Sequence, residues 1–433
     1  MTACGWLVAA LLACAAGDPP RHLEGELSLR GDTWPVRLAL EPGDPPRVTL
    51  DLPDMVMAWR PVPAQVSGDS ITVEFPFGAG ALRWPADART VDAWRAIGDD
   101  TLRLTLRAAA APPYTREPFT FANGPATLVG ELVRPVTAGP HPAVVLVHGS
   151  AAQGRHSWGY RSYADLFARA GYAVLYYDKR GVGESTGAWM TRSYADIDEL
   201  AGDVVAAVEA LRSRPGVDGE RIGLMGGSQA GWVSLLTARR TPIAWMVLRG
   251  APAVTPAEQE AQSVEARLRA DDLAQPMIDS ALAHTRLYFR VVAEAHGADA
   301  VGAPQSEWER LVESSERARA TLWGEYVQLV ETEDDLFWWR RNYAVDPQPL
   351  LEELSVPALF MYGAADVVVP PAANVPILLR HTAGREVTVL VAPRANHVLE
   401  VPLGHDQAGA WHFPRRSPEA LDAMMGWLEG RSP

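Results

Sequence analysis

The stretch Gly226-Gly227-Ser228-Gln229-Ala230 sets a serine between small residues. It lies where an apolar run (221–225, RIGLM) gives way to helical periodicity (228–240, SQAGWVSLLTARR). A hydroxyl on a sharp strand-to-helix turn is lifted clear of its backbone and can act as a nucleophile. The residues two before and two after it must be small, so that strand and helix can approach. Gly226 satisfies this; Ala230 stands where a second glycine is usual, and Gly231 follows. A serine nucleophile also needs a base to take its proton and a carboxylate to hold the base's tautomer. Asp366 lies just past the apolar run 356–363 (VPALFMYG) and ahead of Val369-Pro370. His397 follows the next run, in Ala392-Pro393-Arg394-Ala395-Asn396-His397. The pattern therefore predicts that Ser228 attacks a carbonyl, His397 takes and returns the proton, and Asp366 orients the imidazole. Taken singly, Asp366 could cap a helix starting near Pro371 and His397 could be a surface histidine; three placements in one order weigh against both. His381, His405 and His412 are weaker bases, because none directly follows a strand.

Attack on a carbonyl builds negative charge on its oxygen, and two backbone N–H groups are expected to receive it. One is that of Gln229, the residue after the nucleophile. The other is that of Ser150, in the loop His148-Gly149-Ser150 that follows the run 141–147. His148 reads as a brace for that loop. The segment 177–185 (YDKRGVGES) reads as a strand-end turn near the site, with Asp178 and Arg180 structural.

These residues need a scaffold, and the hydrophobic pattern supplies one. Continuous apolar runs at 141–147, 173–177, 221–225, 243–248, 358–362 and 387–391 alternate with helical periods such as 163–170 and 196–214. That alternation predicts a mostly parallel sheet with helices on both faces, an α/β fold. Ser417 and Pro418 mark the start of a last helix through Leu421, Met424, Met425 and Trp427. Residues 255–353 break the alternation with helical sequence alone. They are expected to form a cap inserted over the carboxyl edge of the sheet, where such sheets bind ligands. Its aromatics, Trp308, Trp323, Tyr326, Phe337, Trp338 and Trp339, are expected mostly in the cap's core, with one or two facing a substrate. Before the sheet, short period-two alternations (24–111) predict a small antiparallel sandwich or barrel, joined by a linker at 108–113. The expected division is a leader at 1–20, a β-rich module at 21–112, sheet core at 113–254 and 354–433, and the cap at 255–353.

The composition, 48% hydrophobic and 21% charged, fits globular domains and excludes a collagen or a disordered tail. A net charge of −14 with no basic run argues against nucleic acid as a partner. Lys179 is the single lysine; every other basic residue is arginine. The two cysteines, Cys4 and Cys14, both lie in the leader, so no cysteine-based metal site or thiol nucleophile is expected beyond it. Residues 5–16 (GWLVAALLACAA) have the length of a signal-peptide core. Leu11-Leu12-Ala13-Cys14 is similar to a lipoprotein box, although no Lys or Arg precedes the run and Leu12 is bulky for its place. The expectation is an exported protein, in the periplasm or cell envelope or secreted. A lipid on Cys14 is then the only membrane attachment foreseen.

The motifs fall in one order: His148-Gly149, D-x-R-G-x-G-x-S at 178–185, G-x-S-x-A-G at 226–231, G-x-x-D-x-x-V-P at 363–370, and a late His397. In this the chain resembles the α/β-hydrolase superfamily over roughly 118–427. It is most similar to bacterial serine esterases of the EstD-like branch, near the serine aminopeptidase and acyl-peptidase relatives and bearing a β-rich N-terminal extension. Gly149, Ser150, Gln153 and Arg155 match that branch's loop; His156-Ser157-Trp158-Gly159 replaces the acidic stretch it usually has. The resemblance implies an α/β-hydrolase fold and hydrolysis of a small ester or peptide-like substrate through an acyl-enzyme on Ser228, with no cofactor or metal. A peptidase or acyltransferase with the same residues is the alternative within enzymes, and a non-catalytic envelope binding protein the alternative outside them.

Overall fold

The computed structural model describes residues 20–29, 32–41, 43, 46–67, 69–75, 80–85, 87–187, 196–294, 305–401 and 415–431. The leader with Cys4 and Cys14 lies outside the described residues, as do His405 and His412. The chain divides into two compact units.

Among its described residues the first unit holds nine strands: β1 (Arg21–Leu29), β2 (Asp32–Glu41), β3 (Arg47–Leu52), β4 (Met57–Val62), β5 (Ala64–Ser67), β6 (Ser70–Phe75), β7 (Gly80–Pro85), β8 (Thr90–Ile97) and β9 (Asp100–Ala109). They form an antiparallel six-stranded sheet, β4-β3-β2-β1-β9-β8, and a three-stranded sheet, β5-β6-β7. In β9, Leu102, Leu104 and Leu106 are buried while Arg103, Thr105 and Arg107 between them are exposed. That is the alternation of a sheet with one face on a core. The linker expected to begin at Ala108 starts later, because Ala108 and Ala109 still pair with Leu23 and His22 of β1. Alanine does not interrupt a ladder; Pro112 and Pro113 do. The unit also takes in Trp158–Leu166, which the sequence assigned to the sheet core.

The second unit is built on an eight-stranded sheet of β10 (Tyr114–Asn123), β11 (Ala126–Pro135), β12 (His141–Val147), β13 (Ala173–Tyr177), β14 (Val217–Gly227), β15 (Trp245–Arg249), β16 (Ala358–Gly363) and β17 (Val387–Ala392). Its order is β10-β11-β13-β12-β14-β15-β16-β17. The first two strands form an antiparallel pair that joins β13 antiparallel; the rest pair parallel. The continuous apolar runs follow from burial on both faces. Val145, Leu175, Leu224, Leu248 and Phe360 join one core with Val204, Val208, Val233, Leu351 and Leu378. Their neighbours Val144, Val174, Met225, Val247 and Leu359 are equally buried.

The helices are α1 (Trp158–Arg169), α2 (Ile197–Arg212), α3 (Ala230–Arg240), α4 (Pro256–Ala270), α5 (Gln275–Glu294), α6 (Gln305–Arg319), α7 (Phe337–Asn342), α8 (Gln348–Glu352), α9 (Pro371–His381) and α10 (Pro418–Glu429). Asp196 and Glu199 close a capping box on α2, and the Ser417 hydroxyl accepts the Ala420 N–H at the start of α10. A mostly parallel sheet with helices on its faces is the α/β-hydrolase fold that the motif order implies. Between β15 and β16 the described residues are helical, from α4 to α8. Their aromatics pack mainly on one another: Trp339 meets Phe289 edge-on at 4.9 Å, and Trp323 joins Val264, Leu268 and Ile278. Among the described residues no helix is long and apolar enough to cross a membrane.

Close approach inside the sheet is tightest at Gly223, where a Cβ would overlap the indole of Trp245 on the neighbouring strand. Gly223→Ala is therefore expected to lower stability by about 1–3 kcal/mol in urea denaturation; an unchanged midpoint would contradict this packing.

Candidate active site

Ser228 sits between β14 and α3 with φ of +58°, in the left-handed region. For a residue with a Cβ that conformation is unfavourable by about 1–2 kcal/mol, so the surroundings must hold it. Its N–H donates to Arg249 O (2.9 Å), and its carbonyl accepts from Gly231 N–H (2.8 Å). A Cβ on Gly226 would overlap the Ala230 methyl and come within 2.9 Å of Val147 O. The single methyl at Ala230 is therefore tolerated only because Gly226 has none.

Asp366 is buried at the end of β16, and both its oxygens are engaged. Oδ1 accepts the Val368 and Val369 N–H groups, each at 2.8 Å, and Oδ2 lies 2.8 Å from His397 Nδ1. A carboxylate oxygen accepts, so the proton sits on Nδ1 and Nε2 keeps its lone pair. The His397 loop is tied down by Ala365 N–H to Ala395 O (2.9 Å) and Asn396 N–H to Glu400 O (2.8 Å). Gly250, with φ of +52°, lies close against the ring; a Cβ there would come within 2.8 Å of His397 Nδ1 and Cε1. Arg249 and Gly250 are consecutive, so one turn after β15 holds the backbone of Ser228 and the ring of His397. Pro370, not Asp366, directly precedes α9, and His381 pairs with Glu352 at 2.7 Å.

The loop after β12 faces the elbow, with a Gly149 Cβ position only 3.3 Å from Gly227 O. Gly149 N–H donates to Gln153 Oε1 at 2.9 Å. Among the described residues, the N–H groups of Ser150 and Gln229 are drawn into no other hydrogen bond. His148 is the brace foreseen: its Nε2–H donates to Tyr177 O at 2.7 Å and its ring meets Tyr177 edge-on at 4.5 Å. Burial, then the nearby Lys179 cation, lower its pKa to about 3. Asp178 and Arg180 are structural, as read from the sequence. Asp178 accepts the Arg155 and Glu184 N–H groups, and Arg180 grips Asp203 with two bonds of 2.7 and 2.6 Å. Among the described residues, no group of three or more His, Cys, Asp or Glu is placed to hold a metal ion.

A family model described as serine aminopeptidase, S33, matches residues 138–401, more than half of the chain. The chain belongs to the serine aminopeptidase S33 family of hydrolases. It is 39% identical over 92 residues to the thiohydrolase aneE of Aspergillus aculeatus, a match covering 21% of this chain and 27% of that protein. It is 36% identical over 110 residues to dipeptidyl aminopeptidase BIII of Pseudoxanthomonas mexicana, covering 24% and 15% respectively. The matches thus span under a third of either relative. An acetyl xylan esterase structure from Paenibacillus sp. R4 overlays with a TM-score of 0.44 and 16% identity, covering 79% of this chain and 89% of that one.

Two features of this S33 hydrolase lie outside what the sequence showed. Gly250 carries no motif; its only signal is a glycine directly after a strand. The helical segment is latched to the acid's loop, since Gln259 Nε2 on α4 donates to Val368 O at 2.8 Å. Asn374 on α9 joins the same latch, accepting from Ala253 N–H and donating to Gln262, both at 2.9 Å.

Two expectations follow from this geometry. Gly250→Ala would push His397 aside, and turnover is expected to fall about 10²-fold; retained turnover would show that the ring does not need that space. His148 stays neutral in the folded chain down to about pH 3, whereas the unfolded chain protonates near its ordinary 6.5. Between those values the unfolded state binds more protons, so this contribution is full above 6.5 and is lost as pH falls towards 3. The urea midpoint should drop between pH 7 and pH 4, and less steeply in His148→Gln; equal slopes would refute it.

Proposed function

We propose that this hydrolase cleaves carboxylic esters through an acyl-enzyme on Ser228, with His397 as general base and acid and Asp366 as the carboxylate that orients it. The observation that best supports this reading is the Arg249-Gly250 turn. Its carbonyl takes the Ser228 N–H, its glycine lies against the His397 ring, and Asp366 holds Nδ1 of that ring. In this scheme Ser228 Oγ attacks the carbonyl carbon while its proton passes to His397 Nε2. The Gln229 and Ser150 N–H groups donate to the tetrahedral oxyanion. The proton then goes to the leaving alcohol, and water, activated by the same histidine, releases the acid. No cofactor or metal takes part. The segment α4–α8 is read as a cap over this site, anchored through Gln259 to the Asp366 loop. Export rests on the apolar run 5–16, with Cys14 as the proposed lipid attachment.

The family assignment favours a second reading, in which the same residues cut a peptide bond. Parallel assays with short p-nitrophenyl esters and aminoacyl p-nitroanilides separate the two. Ester hydrolysis is expected, with fluorophosphonate labelling of the wild type that disappears in Ser228→Ala. Cleavage of anilides alone would install the peptidase reading. Absence of labelling in the wild type would leave a binding protein on a hydrolase fold.

A further inference from the structure

The chain has one lysine among 39 lysines and arginines, and the fold buries it completely. Lys179 follows β13, and its Nζ donates to Gly149 O (2.7 Å), Ala151 O (3.3 Å) and Gln229 Oε1 (3.3 Å). Gly149 and Ala151 flank Ser150, and Gln229 follows Ser228. An ammonium offers three donors on a compact rotor and can meet three oxygens converging from different directions; the planar fork of a guanidinium cannot. Burial lowers the Lys179 pKa to about 7, with Asp203 opposing, and the ammonium is the form with enough N–H groups to donate to all three oxygens. The main chain reinforces the tie. Lys179 N–H donates to Gln153 O at 3.1 Å, while Gln153 Oε1 accepts the Gly149 N–H at 2.9 Å.

The peptide plane converts these bonds into an orientation. Gly149 C=O and Ser150 N–H belong to one planar trans peptide and point in opposite directions. A cation that draws the carbonyl inward therefore turns the Ser150 N–H outward. We propose that Lys179 is a positioning residue of the oxyanion hole: its ammonium, bound to the Gly149 and Ala151 carbonyls and the Gln229 side chain, aims the Ser150 and Gln229 N–H groups at the charge developing on the substrate. The inference rests on the acyl-enzyme reading above.

The test compares wild type with Lys179→Met and Lys179→Arg on a short p-nitrophenyl ester. The expected result is a fall of about 10²-fold in kcat with KM changed less than about threefold, and no rescue by arginine. Because the lysine is unique, protein grown with 13Cε-lysine gives one side-chain signal, which should shift when a fluorophosphonate forms its adduct on Ser228. An unchanged kcat in a folded Lys179→Met protein, or a loss carried by KM alone, overturns the proposal. Should Lys179→Met not fold, the wild-type signal decides: one that does not move on adduct formation overturns it. A wild type that takes no fluorophosphonate label overturns the acyl-enzyme reading itself. A labelled wild type with an indifferent Lys179→Met overturns only the role of the lysine.

Discussion

The left-handed turn at Ser228 is the constraint to which the rest of the site answers. A side chain at φ of +58° is held only if strand and helix close tightly around it, and they close because Gly226 leaves room for Ala230. The N–H that this turn exposes is taken by Arg249 O on the neighbouring strand. Val147, whose carbonyl presses on Gly226, ends the strand on the other side. The turn thus depends on the register of three adjacent parallel strands, β12, β14 and β15.

Parallel pairing has a second consequence. Because β12 to β17 run the same way, their carboxyl ends lie together, and each contributes one part: the Gly149 loop, the Lys179 turn, Ser228, the Arg249-Gly250 turn, Asp366 and His397. Ligands of open α/β sheets bind at that edge. The polar groups there find partners in neighbouring loops. Asp366 uses both oxygens, and His148 gives its Nε2–H to Tyr177. Buried groups paired in this way hold one arrangement, since breaking a pair would leave an uncompensated polar atom.

Legibility in the sequence followed burial. The inner strands of the large sheet are buried on both faces and read as uninterrupted apolar runs; 173–177 was placed to the residue, and 358–362 within one. The last helix was equally plain, since Ser417 and Pro418 are local signals with a local mechanism. The first unit was less legible. Its alternation announced antiparallel strands but not their division into two sheets, because short strands such as β5 (AQVS) and β7 (GALRWP) carry too little period to show which strand each pairs with. Trp158–Leu166 grouped with that unit although it is contiguous in sequence with the large sheet, and no local pattern marks such a partnership.

By itself the sequence determined the order of the chemical groups and the elements bearing them, because hydrophobic period, small residues around a serine and capping residues act over a few positions. It named Ser228, Asp366 and His397 as candidates and read Asp178 and Arg180 as structural. Only the tertiary structure decided what stands next to what. Gly250 lies under a ring far along the chain, Gln259 reaches from α4 to the carbonyl of Val368, and the one lysine ends among three oxygens from two loops. Such contacts depend on strand order and on the directions of peptide planes. Both are set by non-local hydrogen bonds between strands, which no short window of sequence records.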